Sequence, residues 1–274
     1  HALGVVWTQA AGNRQGLVDG ALTKRLQPAF YAQAATVAAL LARRAITGAS
    51  SAFDGPYGLF PLVVGSGWDP KPVTAGLGVT YVMQEIGIKP YPCCRLSHPA
   101  VEAVLHLVAC HGIAADDVQS ATVHLPDEAT WRFVGQPLAI RGNPQVDAQF
   151  SVAYCVAAAI LHRQLGLVQF RTEAILDRDV RNLAAKVKAV IDTGRPDSVS
   201  IRLLDGRVVS ESVAQPLGHP ARPLSRDAIA RKLRDCCEQA ANRPRDAQVD
   251  RLLALLDEFS SARDASELLK ATCP

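Results

Sequence analysis

Residues 118–125 read VQSATVHL, and residues 198–214 read SVSIRLLDGRVVSESVA. Apolar and polar side chains alternate in both, the two-residue period of a strand with one face buried. Asp205-Gly206 stands between the apolar runs at 198–204 and 207–214 and predicts a hairpin, because both residue types tolerate the positive φ of a tight turn. A further strand fits 186–192. Helical periodicity flanks these strands, so the fold class is α+β.

Upstream, a helix is predicted from near Pro99 to Gly112, with Val101, Leu105 and Val108 on one face, and a second long helix over 146–164 carries Phe150, Tyr154 and Ala157 at helical spacing. Residues 53–80 repeat Gly and Pro and read as loop with short turns. Before them, the alanine-rich run from Pro28 to Gly48 predicts a helix that buries nearly all its faces, since small side chains let neighbours approach closely. Lys24 falls in the loop ahead of it. Residues 2–13 predict another helix, stopped by Gly12-Asn13. Downstream, helices begin again after Leu224 with Ser225 as N-cap, followed by a helix carrying Leu252, Leu253 and Leu256 and a short final one. The expected organisation is a helical domain from 1–85 plus 224–274, with an α+β lid domain over 86–223 and a ligand cleft where the two lobes meet.

Composition narrows the function classes. The chain has 274 residues, is 49% hydrophobic and 20% charged, and carries a net charge of +3. Its basic residues are interspersed with acids and form no aromatic-interleaved stripe, which argues against nucleic acid as a partner. No stretch is long and apolar enough for a membrane span. The seven cysteines, Cys93, Cys94, Cys110, Cys155, Cys236, Cys237 and Cys273, show no C-x-x-C spacing and predict reduced thiols in a cytoplasm, with neither a disulfide frame nor a metal site. His106, His111, His124 and His162 lack metal-ligand spacing and read as ordinary. The opening at His1 has no charged leader, so no signal peptide is expected and the chain is read as starting inside a longer product.

Six blocks in order carry a resemblance: ALGVVWTQAAGNRQ at 2–15, TKRLQPAFYAQAATVAALLA at 23–42, KPYPCCRLSHPAVEAVL at 89–105, DAQFSVAYCVAAAIL at 147–161, DGRVVSESVAQPLGHPARPLS at 205–225, and the helical tail. Together they resemble the MmgE/PrpD family, whose 2-methylcitrate dehydratase-like members are lyases of propionate metabolism acting on small polycarboxylates. The resemblance implies a homodimer, no metal and no organic cofactor. It also implies a helical segment upstream with an Asp- and His-containing motif, which has no counterpart here and makes activity of these residues alone an open question.

Such chemistry needs cations to hold carboxylates and a group to move a proton next to one of them. Lys24 and Lys89 match lysines of the family's site, and Lys24 also reads as a solvated loop charge. Arg95 is a further carboxylate-holding candidate and equally reads as surface charge. His98 matches a histidine opening the next helix, and it reads equally as a packing residue. Tyr154 matches a tyrosine facing the cleft, against the alternative of an interior tyrosine with one hydrogen bond. Thus Lys24, His98 and Tyr154 are the catalytic candidates, and Lys89, Cys94 and Arg95 the substrate-binding ones. Cys94, which reads either as lining the pocket or as a buried, inert thiol, departs from the pattern: decarboxylating members place a histidine there and methylcitrate dehydratases a carboxylate. That departure argues against close kinship with cis-aconitate decarboxylases. Gln27 and Ala29 also depart, standing where relatives carry His and Gly, and Gln cannot take a proton near neutral pH. His219 is read as fixing the chain on its return to the helical domain. Two other readings stay open: an epimerase of an amino-dicarboxylate, which shares the proton abstraction, and a non-catalytic half that folds only with a partner.

Overall fold

The computed structural model describes residues 1–274 apart from 66, 70, 195, 265, 273 and 274, so Cys273 lies outside the described residues. Its contacts divide the chain into two units, residues 1–83 with 141–146 and residues 84–140 with 147–274. The sequence groups 224–274 with the N-terminal helices; by its contacts in this structure that segment is counted with the second unit.

In the first unit, helix α1 (Ala2–Trp7) lies against helix α2 (Thr23–Arg43). Helix α1 ends sooner than predicted. Thr8 takes its C-cap, and the Thr8 hydroxyl donates to the Val5 carbonyl at 2.7 Å. Gly12 instead serves close packing: its φ is +116°, and a Cβ there would meet the Tyr31 hydroxyl at 2.0 Å. Helix α2 starts five residues before Pro28, so Lys24 is in its first turn and not in a loop, and Pro28 stands inside the helix. At the sixth helical position this proline lies past the first turn, so it removes the bond that an N–H there would make to the Lys24 carbonyl. The prediction that this helix buries nearly all its faces is not met: only Ala38 is buried, while Phe30, Leu40 and Leu41 are exposed. The loop over 53–80 contains the short helices Leu59–Val63 and Lys71–Thr74 and a ring cluster in which Phe60 stacks on Trp68 with centroids 4.4 Å apart.

The second unit is built on a four-stranded sheet of β1 (Val118–Leu125), β2 (Val187–Ile191), β3 (Ser198–Leu203) and β4 (Val208–Ser212), in the order β2-β1-β3-β4. Strands β1 and β2 run parallel, while β3 is antiparallel to both β1 and β4. Alternation decides the faces. Val118, Ala121, Val123 and Leu125 of β1 and Val199, Ile201 and Leu203 of β3 point into the core, while Ser200 and Ser210 pair hydroxyls at 3.0 Å on the other face. Asp205-Gly206 makes the β3–β4 turn as expected, with Gly206 at φ +89°.

Helices α3 (His98–His111) and α4 (Val152–His162) cover the inner face, joined by α5 (Arg178–Ala185) against α4. Helix α3 ends on Gly112 in the left-handed conformation, which a side chain would disfavour. Helix α4 is buried all round from Val152 to Ile160. Each of its buried branched side chains contributes roughly 1.5–3 kcal/mol. The single helix predicted over 146–164 is in fact two, Pro144–Gln149 and α4. The break falls at Phe150-Ser151, where the Ser151 hydroxyl leaves the helical path to accept from the Tyr154 N–H at 3.2 Å. The tail forms α6 (Arg226–Glu238), capped by Ser225 as predicted, α7 (Asp246–Asp257) and α8 (Ser266–Thr272). Among the described residues no helix is long and apolar enough to cross a membrane.

Candidate functional site

The segment 89–98 precedes and opens α3, and the chain around Gly218 holds it in place. Ile88 N–H donates to the Gly218 carbonyl at 2.8 Å, and Arg95 Nη1 donates to the Leu217 carbonyl at 3.4 Å. Glu102 on α3 clamps the same stretch, accepting from the Leu217 N–H and from Arg222 Nη2, each at 2.7 Å. On the other side, Cys94 N–H donates to the Gln149 carbonyl at 2.9 Å, and Gln149 Nε2 returns a bond to the Pro92 carbonyl at 2.8 Å. Pro90 and Pro92 stiffen the loop between these ties. Lys89 Nζ folds over the loop and donates to the Cys93 carbonyl at 3.1 Å.

His98 lies at the bottom of this segment with 0% exposure. Neither ring nitrogen makes a hydrogen bond of good geometry, and neither does the hydroxyl of the equally buried Ser97. The ring meets Tyr91 edge-on with centroids 5.2 Å apart. Its polar neighbour is the Cys93 thiol, which the spacing of the motif gave no reason to single out. The Cys155 thiol hydrogen-bonds to Cys93 and holds it below the usual thiol range; burial works the other way, and the His98 ring and the Lys89 ammonium add to the lowering. Cys155 moves in the opposite direction, raised by its burial and by the charge on Cys93. Tyr91 is pushed up to about 12, by burial first and then by Glu102.

The structure thus gathers Lys89, Cys94, Arg95 and His98 on one turn-rich segment of the second unit. Lys24 belongs to the first unit, exposed on α2. Gln27 reaches back to the Asn13 carbonyl and serves that unit's packing. Tyr154 is in the core with 0% exposure, its hydroxyl donating to the Gln169 carbonyl and its ring 5.6 Å from Phe170. Burial holds its phenol well above the ordinary range, with Cys155 and Asp177 adding to the rise. This is the arrangement of an interior tyrosine with one hydrogen bond. His219 forms a bridge with Arg222 in the chain that ties down the segment, and its ring nitrogen accepts from the Ala221 N–H at 3.1 Å. Among the described residues no group of three or more His, Cys, Asp or Glu side chains is placed to hold a metal ion.

Residues 91–257, which include most of this segment and the whole sheet, match the model of the MmgE/PrpD C-terminal domain, and residues 1–71 match that of the MmgE/PrpD N-terminal domain. The chain belongs to the MmgE/PrpD family. Among curated MmgE/PrpD relatives it is similar to a cis-aconitate decarboxylase of Aspergillus terreus, 29% identical over 297 residues that cover 100% of this chain and 59% of the relative. A cis-aconitate decarboxylase-like protein of Aspergillus oryzae is 28% identical, over 98% of this chain and 58% of its own length. The cis-aconitate decarboxylase of Mus musculus is 24% identical, over 68% of this chain and 39% of its own length. This MmgE/PrpD chain therefore spans about 59% of the length of the first of these relatives. The expectation drawn from Cys94, of distance from cis-aconitate decarboxylases, meets relatives that carry that name.

Proposed function

We propose that this protein is a lyase that removes carbon dioxide or water from a small polycarboxylate. His98 carries the reading. A fully buried histidine without a well-made hydrogen bond sits under a loop bearing the Lys89 ammonium and the Arg95 guanidinium. A buried imidazole whose polar contact is a thiol lacks the stronger partners that water would give it, a cost of about 1–3 kcal/mol, and a role in proton transfer explains why the fold bears that cost. In this reading Lys89 and Arg95 hold carboxylates, half-buried Cys94 lines the pocket, and His98 handles the proton. Tyr154 does not enter, because its hydroxyl is already engaged in the core.

The relatives' names favour decarboxylation of cis-aconitate, and the block resemblance favours dehydration of a 2-methylcitrate-like substrate. Both reactions are assayed together by carbon dioxide release and by NMR of the products, with and without the remaining portion of a matching relative supplied in trans. Turnover is expected, and Lys89→Met should lower kcat/KM about a hundred-fold. No turnover of either substrate in both formats, or full activity in Lys89→Met and His98→Gln together, sinks the reading. A second reading, a partner-dependent half without activity of its own, draws support from the exposed Phe30, Leu40 and Leu41 of α2. Turnover by these 274 residues alone removes it.

A further inference from the structure

A row of three side chains on the outer surface of the second unit lies outside that reading. His106 and Cys110 stand one turn apart on α3, and Glu211 reaches them from β4. His106 Nδ1 lies 2.7 Å from Glu211 Oε2, and its Nε2 lies 3.3 Å from Cys110 Sγ. When Nδ1–H donates to the carboxylate, the tautomer is set and Nε2 turns its lone pair to the thiol. Nucleophile, base and orienting acid thus stand in sequence, each within reach of the next. The imidazole ring also holds the Glu211 carboxyl below its ordinary range.

The row is open to solvent. Cys110 is exposed, and the His106 and Glu211 side chains are 60% and 32% accessible. His106 and Glu211 also form one wall of a cavity of about 670 Å³ that includes Tyr91, Leu105, Val213 and Arg222.

We propose that Cys110 is an activated nucleophile and that this site forms covalent adducts with alkenes conjugated to a carbonyl group. Sulfur is soft and reacts as the thiolate, which suits conjugate addition. His106 Nε2 takes the thiol proton, and the sulfur electron pair forms a C–S bond at the β-carbon. The π pair moves toward the carbonyl, and the α-carbon receives the proton back from His106. Nothing is oxidised and no group leaves.

The test is labelling with limiting N-ethylmaleimide at neutral pH, mapped by peptide mass spectrometry. Cys236, exposed in the last turn of α6, is the internal comparator. Cys110 is expected to label roughly ten-fold faster than Cys236. His106→Gln should bring it down to the Cys236 rate, and Glu211→Gln to a value between. Equal labelling of the two cysteines in the unaltered protein overturns the proposal, as does an unchanged Cys110 rate in His106→Gln. Cys155, with 0% exposure, reports on folding. If it becomes labelled in a variant, the ratio in the unaltered protein decides alone.

Discussion

Asp197 places one carboxylate oxygen in a buried spot without a hydrogen bond. Burial, with the charge of Asp127 added, raises its carboxyl to about 6. A carboxyl whose folded pKa lies above its unfolded value near 3.9 favours folding at low pH, and that contribution is lost as pH rises through the folded value. At neutral pH the ionised side chain is a net cost. Asp197→Asn is therefore expected to raise Tm at pH 7.5, by about 1 kcal/mol of stability after allowing for partial solvent screening. The gain should shrink as pH falls from 6 toward 4, and a melting series across that range checks it; a gain that grew toward acid would contradict the assignment. No sequence pattern pointed to Asp197. The same holds for Cys93 and Cys155, which are brought together by a fold that spacing along the chain does not encode. His98 and Tyr154 were visible as candidates, but only the fold separates a buried imidazole beside a thiol from a phenol bonded inside the core.

The ties between short elements give the Lys89–His98 segment its shape, and Gly218 is the tightest of them. Its φ is +82°, and a Cβ would lie 1.9 Å from the Ile88 carbonyl oxygen, which is backbone and cannot swing aside. Gly218→Ala should cost about 1–3 kcal/mol and shift the loop that carries Lys89, lowering activity more than Tm alone accounts for. Calorimetry together with the lyase assay reads both, and a variant with parental Tm and parental turnover would refute the role. Elements with local signatures were legible: the strand at 118–125, the Asp205-Gly206 turn, the stop at Gly112 and the cap at Ser225. The division at Phe150-Ser151 was hidden, because apolar residues run across it and only the Ser151 hydroxyl marks the new start. The start of α2 was missed for a different reason, since Pro28 reads as a first-turn residue wherever it stands.

Across the whole molecule, the two units differ in how well they cover their own apolar residues. The second has a continuous core of sheet and helices. In the first, Leu3, Val18, Phe30, Tyr31, Leu40 and Ile46 are exposed. Composition foretold apolar helices there, but the apolar pattern of a helix does not identify the surface that packs on it. We propose that copies of the protein pair, as the family resemblance implies. Light scattering after gel filtration is expected to give a dimer or larger species that binds a hydrophobic dye, and Phe30→Glu with Leu40→Glu should reduce both signals. A clean monomer that ignores the dye would count against it.

The sheet order carries a consequence for synthesis on the ribosome. Strand β1 sits between β2 and β3, and both neighbours are made long after it: Ala121 must await Val187 on one side and Ile201 on the other. At about 5–20 residues per second, the nascent β1 spends several seconds with neither edge satisfied. Helix α3, emerging just ahead of it, is the first surface able to shelter its apolar side. Codon changes that hasten or delay the stretch between β1 and β2 should therefore alter the yield of properly folded chains more than equal changes near the C terminus.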